Sequence, residues 1–227
     1  MKAFFQKKKD KPLSGKRLLI NAGPTQEKID PVRFLSNHSS GKMGVALAEA
    51  AFDYGAEVEL VLGPVNIIPD KLVIKIINVT SAETMAKECI KRFEKCDIAI
   101  LAAAVADFTP EIVSTKKIKS GNNELLLKLK PTIDIAAELG KVKTADQLLV
   151  GFALETDNEL ENAIGKLKRK NLDIIVLNSL NEEGAGFGYD TNRITIIDRN
   201  NNIDKFELKS KEEAARDILN KIVSMLE

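Results

Sequence analysis

The feature of this sequence that most constrains its fold is a repeated order of short apolar runs and helical segments. The predicted strands are Lys16–Asn21, Ala56–Leu62, Leu72–Ile77, Asp97–Ala103, Gln147–Ala153 and Asp173–Asn178. The predicted helices run from Ser39 or Ser40 to Tyr54, and over Ala82–Lys95 and Asn158–Lys170. This β-α-β-β-α-β order predicts an α/β fold, with a Rossmann-like, mostly parallel sheet and helices on both of its faces.

The last third of the chain predicts an edge to this sheet. Arg193–Asp198 and Ile203–Leu208 form an expected hairpin, and Lys211–Leu226 an amphipathic terminal helix. Phe108–Lys130 does not follow the rhythm, because a lysine-rich polar stretch precedes the apolar run ELLLKLK. We interpret residues 108–130 as a flap that leads into a strand. No linker is evident, so we expect a single domain over residues 1–227.

Composition excludes several function classes. The chain has 34 Lys and Arg against 33 Asp and Glu, a net charge of +1, so no overall field attracts nucleic acid or an acidic membrane. The longest apolar run, Ile98–Ala106, is too short to span a bilayer, and the N-terminus lacks the apolar region of a signal peptide. Cys89 and Cys96 are too few for a disulfide framework or a zinc site. We therefore expect a cytoplasmic protein.

The long polar loop Ala22–Ser39 follows the first strand, where open α/β sheets place ligands. Ser39, Ser40 and Gly41 would offer free N–H groups at a helix N-terminus, and Lys42 adds a positive charge. Two interpretations stay open: a phosphate cradle, or an ordinary capped helix. The stretch has neither the P-loop spacing nor GxGxxG.

Three more side chains of this loop suit an anionic ligand. Arg33 and Asn37 can contact a carboxylate or phosphate, although an arginine alone is more often a surface ion pair. His38 is the only histidine, and no carboxylate adjoins it in sequence. We favour a positioning role for His38 over that of a general base.

Several blocks, in order, resemble the phosphopantothenoylcysteine synthetase family from about Lys16 to Glu227. They are SNHSSGKMG (Ser36–Gly44, preceded by GPT and DPVRF), AAAVADF (Ala102–Phe108), KKIK (Lys116–Lys119), GFALET (Gly151–Thr156), KLKRKNLDIIVLN (Lys166–Asn178) and GFGYDTN (Gly186–Asn192). The resemblance implies a ligase of coenzyme A biosynthesis that joins L-cysteine to 4'-phosphopantothenate. The reaction passes through an acyl-cytidylate, with Mg²⁺, and converts CTP to CMP and pyrophosphate.

The resemblance also implies partners. The chain is similar to the stand-alone bacterial type without a flavin decarboxylase domain, so we expect no flavin and a separate phosphopantothenoylcysteine decarboxylase for the next step. In the family, a segment like 108–130 pairs with its twin, which implies a homodimer.

The resemblance assigns site residues by position. The nucleotide side comprises Gly23, Ser39, Gly41, Gly44, Asp107, Lys117, Phe152, Lys166 and Lys170. The phosphopantothenate side comprises Arg33, Asn37, Ala103 and Ala104. Asn37, Lys117 and Asp107 are the candidate catalytic residues, and Asp107 is also the candidate Mg²⁺ ligand.

The plainer interpretations stay open. Lys166 and Lys170 are also compatible with one solvated helix face, Phe152 with the core, and Asp107 with a turn. The family often has a proline just before the aspartate of its nucleotide-side helix, whereas Ile133 precedes Asp134 here. The alternative functions are an NAD(P)-dependent oxidoreductase and a non-catalytic nucleotide-binding protein.

Overall fold

A computed structural model describes residues 11–119, 124–155, 157–179 and 188–226. The strands in these ranges are β1 Arg17–Ala22, β2 Gln26–Lys28, β3 Phe34–Ser36, β4 Glu57–Leu62, β5 Lys75–Asn78, β6 Ile98–Leu101, β7 Phe108–Pro110, β8 Leu129–Pro131, β9 Leu148–Glu155, β10 Ile174–Ser179, β11 Thr191–Asn192, β12 Ile194–Asp198, β13 Ile203–Lys205 and β14 Lys209–Ser210. The helices are α1 Lys42–Asp53, α2 Ala82–Phe93, α3 Ile135–Val142, α4 Glu159–Arg169 and α5 Lys211–Ser224.

The main sheet of the described residues has eight strands in the order β5-β4-β1-β6-β9-β10-β12-β13. The pairs from β5 through to β10 are parallel. The hairpin β12–β13 completes one edge with antiparallel pairs. This arrangement confirms the predicted α/β fold with a mostly parallel sheet.

Both faces of the sheet are covered because side chains alternate along each strand. In β1, Leu18 and Ile20 belong to the core under α1 and α5. Leu19 lies between them and belongs to the core under α2, α3 and α4. The predicted placement of helices on both faces is therefore confirmed, and the carboxyl ends of β1, β6, β9 and β10 form one edge.

The start of α1 differs from the expected serine cap. Gly41 is the N-cap residue, with φ 76° and no side-chain cap. The Ser39 hydroxyl instead accepts a hydrogen bond from the Gly41 N–H at 3.3 Å. The left-handed conformation that Gly41 adopts is strained for a serine, which explains why glycine occupies this position.

Three further expectations need correction. The loop Ala22–Ser39 contains the antiparallel hairpin β2–β3. The third predicted strand begins at Lys75 rather than Leu72, whose side chain is fully exposed. Of the apolar run in the flap, only Leu129 and Lys130 lie in a strand, β8, which pairs with β7. Helix α3, which the periodicity did not predict, follows this pair and is capped by Asp134.

Some expectations fall outside the described residues. They concern the N-terminal ten residues, residues 120–123 of the flap, Thr156, and Gly186 and Phe187 of the GFGYDTN block. In the part of the chain that the structure describes, no helix combines the length and apolar character needed to cross a membrane.

Candidate functional site

A cleft with two lobes opens at the carboxyl edge of the sheet, and Ala103 and Phe152 line both lobes. We call one the α1–α5 lobe; its other lining residues include Ser39, Ser40, Gly41, Lys42, Met43, Gly44, Asn178, Asn192 and Lys211. We call the second the α3–α4 lobe; its other lining residues include Asn21, Val105, Ile135, Ala136, Lys166 and Lys170. The parallel order thus brings segments that are distant in sequence to one crevice.

The predicted glycines shape the α1–α5 lobe through the backbone. A Cβ on Gly44 would lie 2.3 Å from the Cβ of Ala22, so glycine lets α1 pack directly on β1. A Cβ on Gly41 or Gly23 would meet a methyl carbon of Val65 at 2.9 or 3.0 Å. These contacts bring the N-terminus of α1 to the cleft, with the backbone itself as its wall.

The loop after β6 carries Ala103 and Ala104 and is tied to β1 and its following loop. The Asn21 side-chain oxygen accepts from the Ala103 N–H at 3.0 Å, and the Gly23 carbonyl accepts from the Ala104 N–H at 2.9 Å. Asn21 is buried, and sequence reasoning missed it. Its only signal was a polar residue at the end of an apolar strand.

Asn37 ties the same loop from the other side. Its side-chain amide donates to the carbonyls of Ala104 and Val105, each at 3.1 Å. Both N–H donors of the amide are thereby used, so a direct donor role toward a ligand requires one bond to exchange. A contact between Asn37 and an acyl intermediate stays a prediction.

Asp107 lies at the outer end of this loop and is exposed. Its carbonyl accepts a hydrogen bond from the Thr132 N–H at 2.9 Å. Among the described residues, no three His, Cys, Asp or Glu side chains come together as a metal site. A cation bound at Asp107 would therefore need further oxygen ligands from a substrate or water.

A buried carboxylate that sequence reasoning also missed holds the lysine segment 116–119. Asp30 accepts from the Ile118 N–H at 3.0 Å and from Arg33 Nε at 3.0 Å. Arg33 Nη2 donates to the Ile118 carbonyl at 2.6 Å, so the pair brackets one residue of the segment. We call this arrangement the Asp30 clasp.

The Asp30 clasp determines the charge state of Asp30 and leaves the neighbouring Lys117 exposed. The Arg33 guanidinium holds the pKa of the Asp30 carboxyl well below its usual range, against the effect of burial. Arg33 thus donates several of its hydrogen bonds within the protein, to Asp30 and to the Ile118 carbonyl. This contact matches the plainer interpretation of Arg33, an ion pair. Lys117, next to Ile118, is exposed and has no hydrogen bond or ion pair to any described residue.

The α3–α4 lobe carries two lysines, Lys166 and Lys170. Lys166 forms an ion pair with Glu155 at 2.5 Å, and Lys170 with Asp134 at 2.9 Å. Burial raises the pKa of Asp134, but the hydrogen bond and charge of Lys170 together with the backbone N–H groups of Ala137 and Ala136 outweigh it, and the net shift is downward. Both lysines are half-buried and line the cleft, so they are not one freely solvated face. Phe152 lines the cleft and also packs on the core.

Two polar residues of the α1–α5 lobe were not predicted. Lys211 is only 5% exposed, and its ammonium donates to the Tyr189 carbonyl. Burial and the charge of Lys42 lower the pKa of Lys211. Asn192 is 2% exposed and donates to the Asn178 side-chain oxygen at 3.2 Å. Asn192 ends the GFGYDTN block, which contributes only to the family resemblance, and no sequence pattern distinguishes Lys211 from ordinary polar surface.

Together these contacts describe what the cleft can do chemically. A strip of backbone at Ala103 and Ala104 lies between two lobes that each carry lysines. The α1–α5 lobe also has the positive end of the α1 dipole. Such an arrangement suits a ligand with an anionic group on each side of a central reacting atom.

Comparisons with known proteins identify the family and the fold of this chain. Residues 13–226 match the family model of the DNA/pantothenate metabolism flavoprotein C-terminal domain. The chain is 45% identical over 221 residues to the coenzyme A biosynthesis bifunctional protein CoaBC of Bacillus subtilis, covering 97% of this chain and 54% of that protein. It is 64% identical over 226 residues to a cysteine/cysteine sulfinic acid decarboxylase of an unidentified prokaryote, covering 99% and 63%.

A solved structure shares the fold closely. The crystal structure of the C-terminal domain of a CoaBC protein superposes with a TM-score of 0.82 at 42% identity, covering 96% of this chain and 98% of that chain. The chain thus spans between about half and two thirds of the two curated relatives' lengths, but nearly all of this domain.

Proposed function

This chain belongs to the family of DNA/pantothenate metabolism flavoprotein C-terminal domains, and we propose that it joins L-cysteine to 4'-phosphopantothenate in coenzyme A biosynthesis. The similarity to the C-terminal domain of CoaBC supports the pathway. The finer proposal is that CTP activates the carboxylate through an acyl-cytidylate, and that CMP and pyrophosphate are released.

One observation carries this function. The backbone at Ala103 and Ala104 is held by Asn21, Gly23 and Asn37 between two lysine-bearing lobes. The substrates of the first step each bring an anion, a phosphate ester and a triphosphate, and their reacting atoms must meet between them. The cleft offers a cationic lobe for each and a shared wall at the junction.

In the first step, an oxygen of the phosphopantothenate carboxylate attacks the α-phosphorus of CTP. The bond to the β-phosphate oxygen breaks, and pyrophosphate leaves with its electron pair. Negative charge is redistributed over phosphate oxygens, which nearby cations stabilise. We assign this work to Lys166, Lys170 and Lys117, with Asp107 near the phosphates.

In the second step, the neutral amine of cysteine attacks the acyl carbon. The tetrahedral intermediate collapses, CMP leaves, and the amine loses a proton to form the amide. Holding the acyl group against the Ala103–Ala104 strip makes the attack effectively intramolecular. Neither step transfers electrons, so we expect no flavin to be required, and decarboxylation of the product would take place at a different active site.

The chain offers one candidate ligand for the magnesium ion that this chemistry uses. When bound, it would neutralise charge on the triphosphate as a Lewis acid. Asp107 is an exposed carboxylate on the loop that follows the Ala103–Ala104 strip, and a hard cation prefers such oxygen ligands. We propose that Asp107 contributes one ligand and that phosphate oxygens and water supply the others.

A homodimer is part of the proposal. The segment from β7 to β8 exposes several large apolar side chains, among them Ile112 at 82% and Leu126 at 87% exposed. Exposed apolar groups grouped on one segment favour association. We expect a dimeric mass by light scattering at micromolar concentration; a fully active monomer would contradict this expectation.

The oxidoreductase alternative is not favoured. In dinucleotide-binding folds, a tight glycine turn joins the first strand directly to its helix. Here β1 and α1 are separated by the hairpin β2–β3, and Gly63 and Pro64 follow β4 where an acidic residue is expected.

The decisive experiment measures pyrophosphate release from the purified protein with CTP or ATP. We expect release with CTP and phosphopantothenate, product formation only when cysteine is added, and a lower kcat/KM with ATP. Comparable kcat/KM with ATP would remove the CTP preference and leave the ligase. Binding of CTP without pyrophosphate release, with both other substrates present, would favour a non-catalytic nucleotide-binding protein.

A further inference from the structure

We infer that the side chains of Asn178 and Asn192 form a paired-amide site in the α1–α5 lobe, which binds a neutral group that offers both a hydrogen-bond donor and an acceptor. Hydroxyl groups, secondary amides and amino-substituted bases have this chemistry, whereas an ionised phosphate offers acceptors only. This inference rests on the proposed function and deepens it, because it assigns the kind of substrate group that this part of the lobe holds.

Both asparagines end an apolar row on the same face of the sheet. In β10, Val176 belongs to the core under α1 and α5, and the alternation of side chains places Asn178 next on that face. In the neighbouring chain segment, Ile194 of β12 belongs to the same core, and Asn192 precedes it by the same two-residue step. Two adjacent rows therefore change from apolar to amide side chains where the cleft opens, and both amides line it.

One hydrogen bond joins the two amides. Asn192 Nδ2 donates to Asn178 Oδ1 at 3.2 Å. Within the part of the chain that the structure describes, the Asn178 NH₂ group donates to no other residue and the buried Asn192 Oδ1 accepts from none. The pair thus leaves one acceptor and one NH₂ donor for a ligand. Turning both amides over would exchange the roles of the two residues and leave the same two functions.

The oxygen of Asn192 carries a cost that a ligand can remove. Asn192 is 2% exposed, and a buried acceptor without a donor loses its hydration without compensation. A ligand O–H or N–H that donates to Asn192 Oδ1 recovers this loss. A phosphate oxygen in the same place would put two acceptors in contact, so the pair also rejects the anionic part of a substrate.

The depth of the two amides sets the orientation of the bound group. Asn178 is half-buried and Asn192 lies deeper, so the ligand donor points inward and its acceptor outward. Met43 lines the same lobe, with its sulfur 4.0 Å from Asn192 Nδ2. A methionine side chain is flexible enough to move aside and admit a donor to the buried oxygen. The N-terminus of α1, in the same lobe, is left for the anion.

The test is calorimetric titration of Mg·CTP and of 4'-phosphopantothenate, each alone, so that turnover is not needed. Asn192→Leu keeps the size of the side chain and removes its hydrogen-bonding groups. We expect one of the two ligands to bind about 10- to 100-fold more weakly, as when a buried polar group loses its partner, and the other to change by less than about twofold. Asn178→Leu should weaken the same ligand, and the double variant should lose little more than either single variant, because each change already breaks the pair.

Gln147 provides the matched control, because its buried amide is satisfied within the protein. Its Nε2 donates to the carbonyls of Phe93 and Cys96 at 2.7 and 2.9 Å, and its Oε1 accepts from the Thr144 N–H at 3.1 Å. Gln147→Leu should lower the unfolding temperature and leave both affinities unchanged. Asn192→Leu should show the reverse, an unfolding temperature equal to that of the parent or higher, with weaker binding.

Ligand analogues identify the occupant. If the nucleotide is the occupant, deoxynucleotide analogues of CTP or UTP, whose base has a carbonyl in place of the amino group, should bind the parent protein more weakly. Asn192→Leu should remove that difference. If phosphopantothenate is the occupant, its analogue without the hydroxyl should behave in the same way. Additive effects of Asn192→Leu and of every ligand change would overturn the donor–acceptor pairing.

The paired-amide site and the proposed function can fail separately. Unchanged affinity for both ligands in a folded Asn192→Leu protein overturns the site, even if pyrophosphate release has established the ligase. Should Asn192→Leu fail to fold, Asn178→Leu tests the pair from its half-buried member and carries the same expectation. Binding that depends on the pair, without pyrophosphate release by the parent, supports the site and removes the proposed function. A parent protein that binds neither ligand overturns both.

Discussion

The α1–α5 lobe and the lysine segment 116–119 both present cations, but the protein holds them in opposite ways. Lys211 is 5% exposed in a wall made by two helices and the sheet edge. Lys117 is exposed on a segment that the Asp30 clasp brackets at Ile118. A buried cation is held in place before a ligand binds, at a cost in folding stability. An exposed cation costs little stability, and its position depends on the contacts that hold its segment, here the Asp30 clasp. We therefore expect changes in the cleft to alter binding or the fold, and changes in the segment to alter one chemical step.

The largest expected effect lies at Asn37, which holds the loop after β6 beside the cleft. Asn37→Asp places a carboxylate against the carbonyls of Ala104 and Val105 and against any oxyanion formed beside them. We expect cysteine attack to slow by about 100-fold or more, about 3 kcal/mol, while the acyl-cytidylate still forms. Rapid quench with mass spectrometry of the bound intermediate measures both steps in one protein. Normal turnover, or no intermediate, would show that Asn37 has another role.

Lys117→Ala tests the segment itself. The expected result is a loss of about 100-fold in CTP-dependent pyrophosphate formation, because a cation near the triphosphate stabilises charge in the first step. Cysteine attack on the preformed intermediate should change less. Lys128→Ala is the control, since Lys128 is an exposed flap lysine paired with Glu111. An unchanged rate of pyrophosphate formation would make Lys117 a solvated surface charge.

Gly44→Ala tests how far the lobe depends on packing. A methyl group 2.3 Å from the Cβ of Ala22 must push α1 away from β1. We expect the free energy of unfolding in urea to fall by about 2 kcal/mol, as for an overpacked core. Gly165→Ala is the control, because the nearest atom to its new Cβ is Arg169 Nη1 at 3.8 Å. Equal stabilities of the two variants would mean that α1 shifts without cost.

The smallest expected effect comes from weakening the Asp30 clasp. Asp30→Asn puts an amide where Arg33 and the Ile118 N–H need an acceptor, so the segment should be released while Lys117 is retained. We expect the first step to slow by about tenfold, the size of one lost hydrogen bond to a charged group. Trypsin should also cleave faster after Lys116 and Lys117.

Two readouts separate positioning of the segment by Asp30 from general destabilisation. Asp97→Asn changes an aspartate at the opposite edge of the sheet, which accepts from the Arg17 backbone N–H at 2.7 Å and lies 3.9 Å from Arg17 Nε, and should change neither the first step nor cleavage in the segment. If Asp30→Asn slows both chemical steps equally and lowers stability, the clasp supports the fold and not the segment.

Sequence reasoning succeeded where the signal was local. The apolar runs identified each strand from β1 to β10 in the main sheet, within about three residues at the ends, and the terminal helix. It failed at the cap of α1, because Gly41 packs against Val65 and Gly23, which lie close only in the folded chain. Apolar periodicity also missed α3, whose eight residues are too few for a strong pattern, and only the family resemblance implied a helix after Asp134.

The sequence by itself determined the order of strands and helices, and therefore which loops meet at the carboxyl edge, because apolar periodicity and turn residues act over short distances. Only the tertiary structure decided which polar groups face one another there. Asp30 meets Ile118 across 88 positions, and Asn21 meets Ala103 across 82. The burial of Lys211 and of Asn192 likewise depends on elements packed from far along the chain. Burial, hydrogen bonding and charge are properties of such surroundings, and no local pattern encodes them.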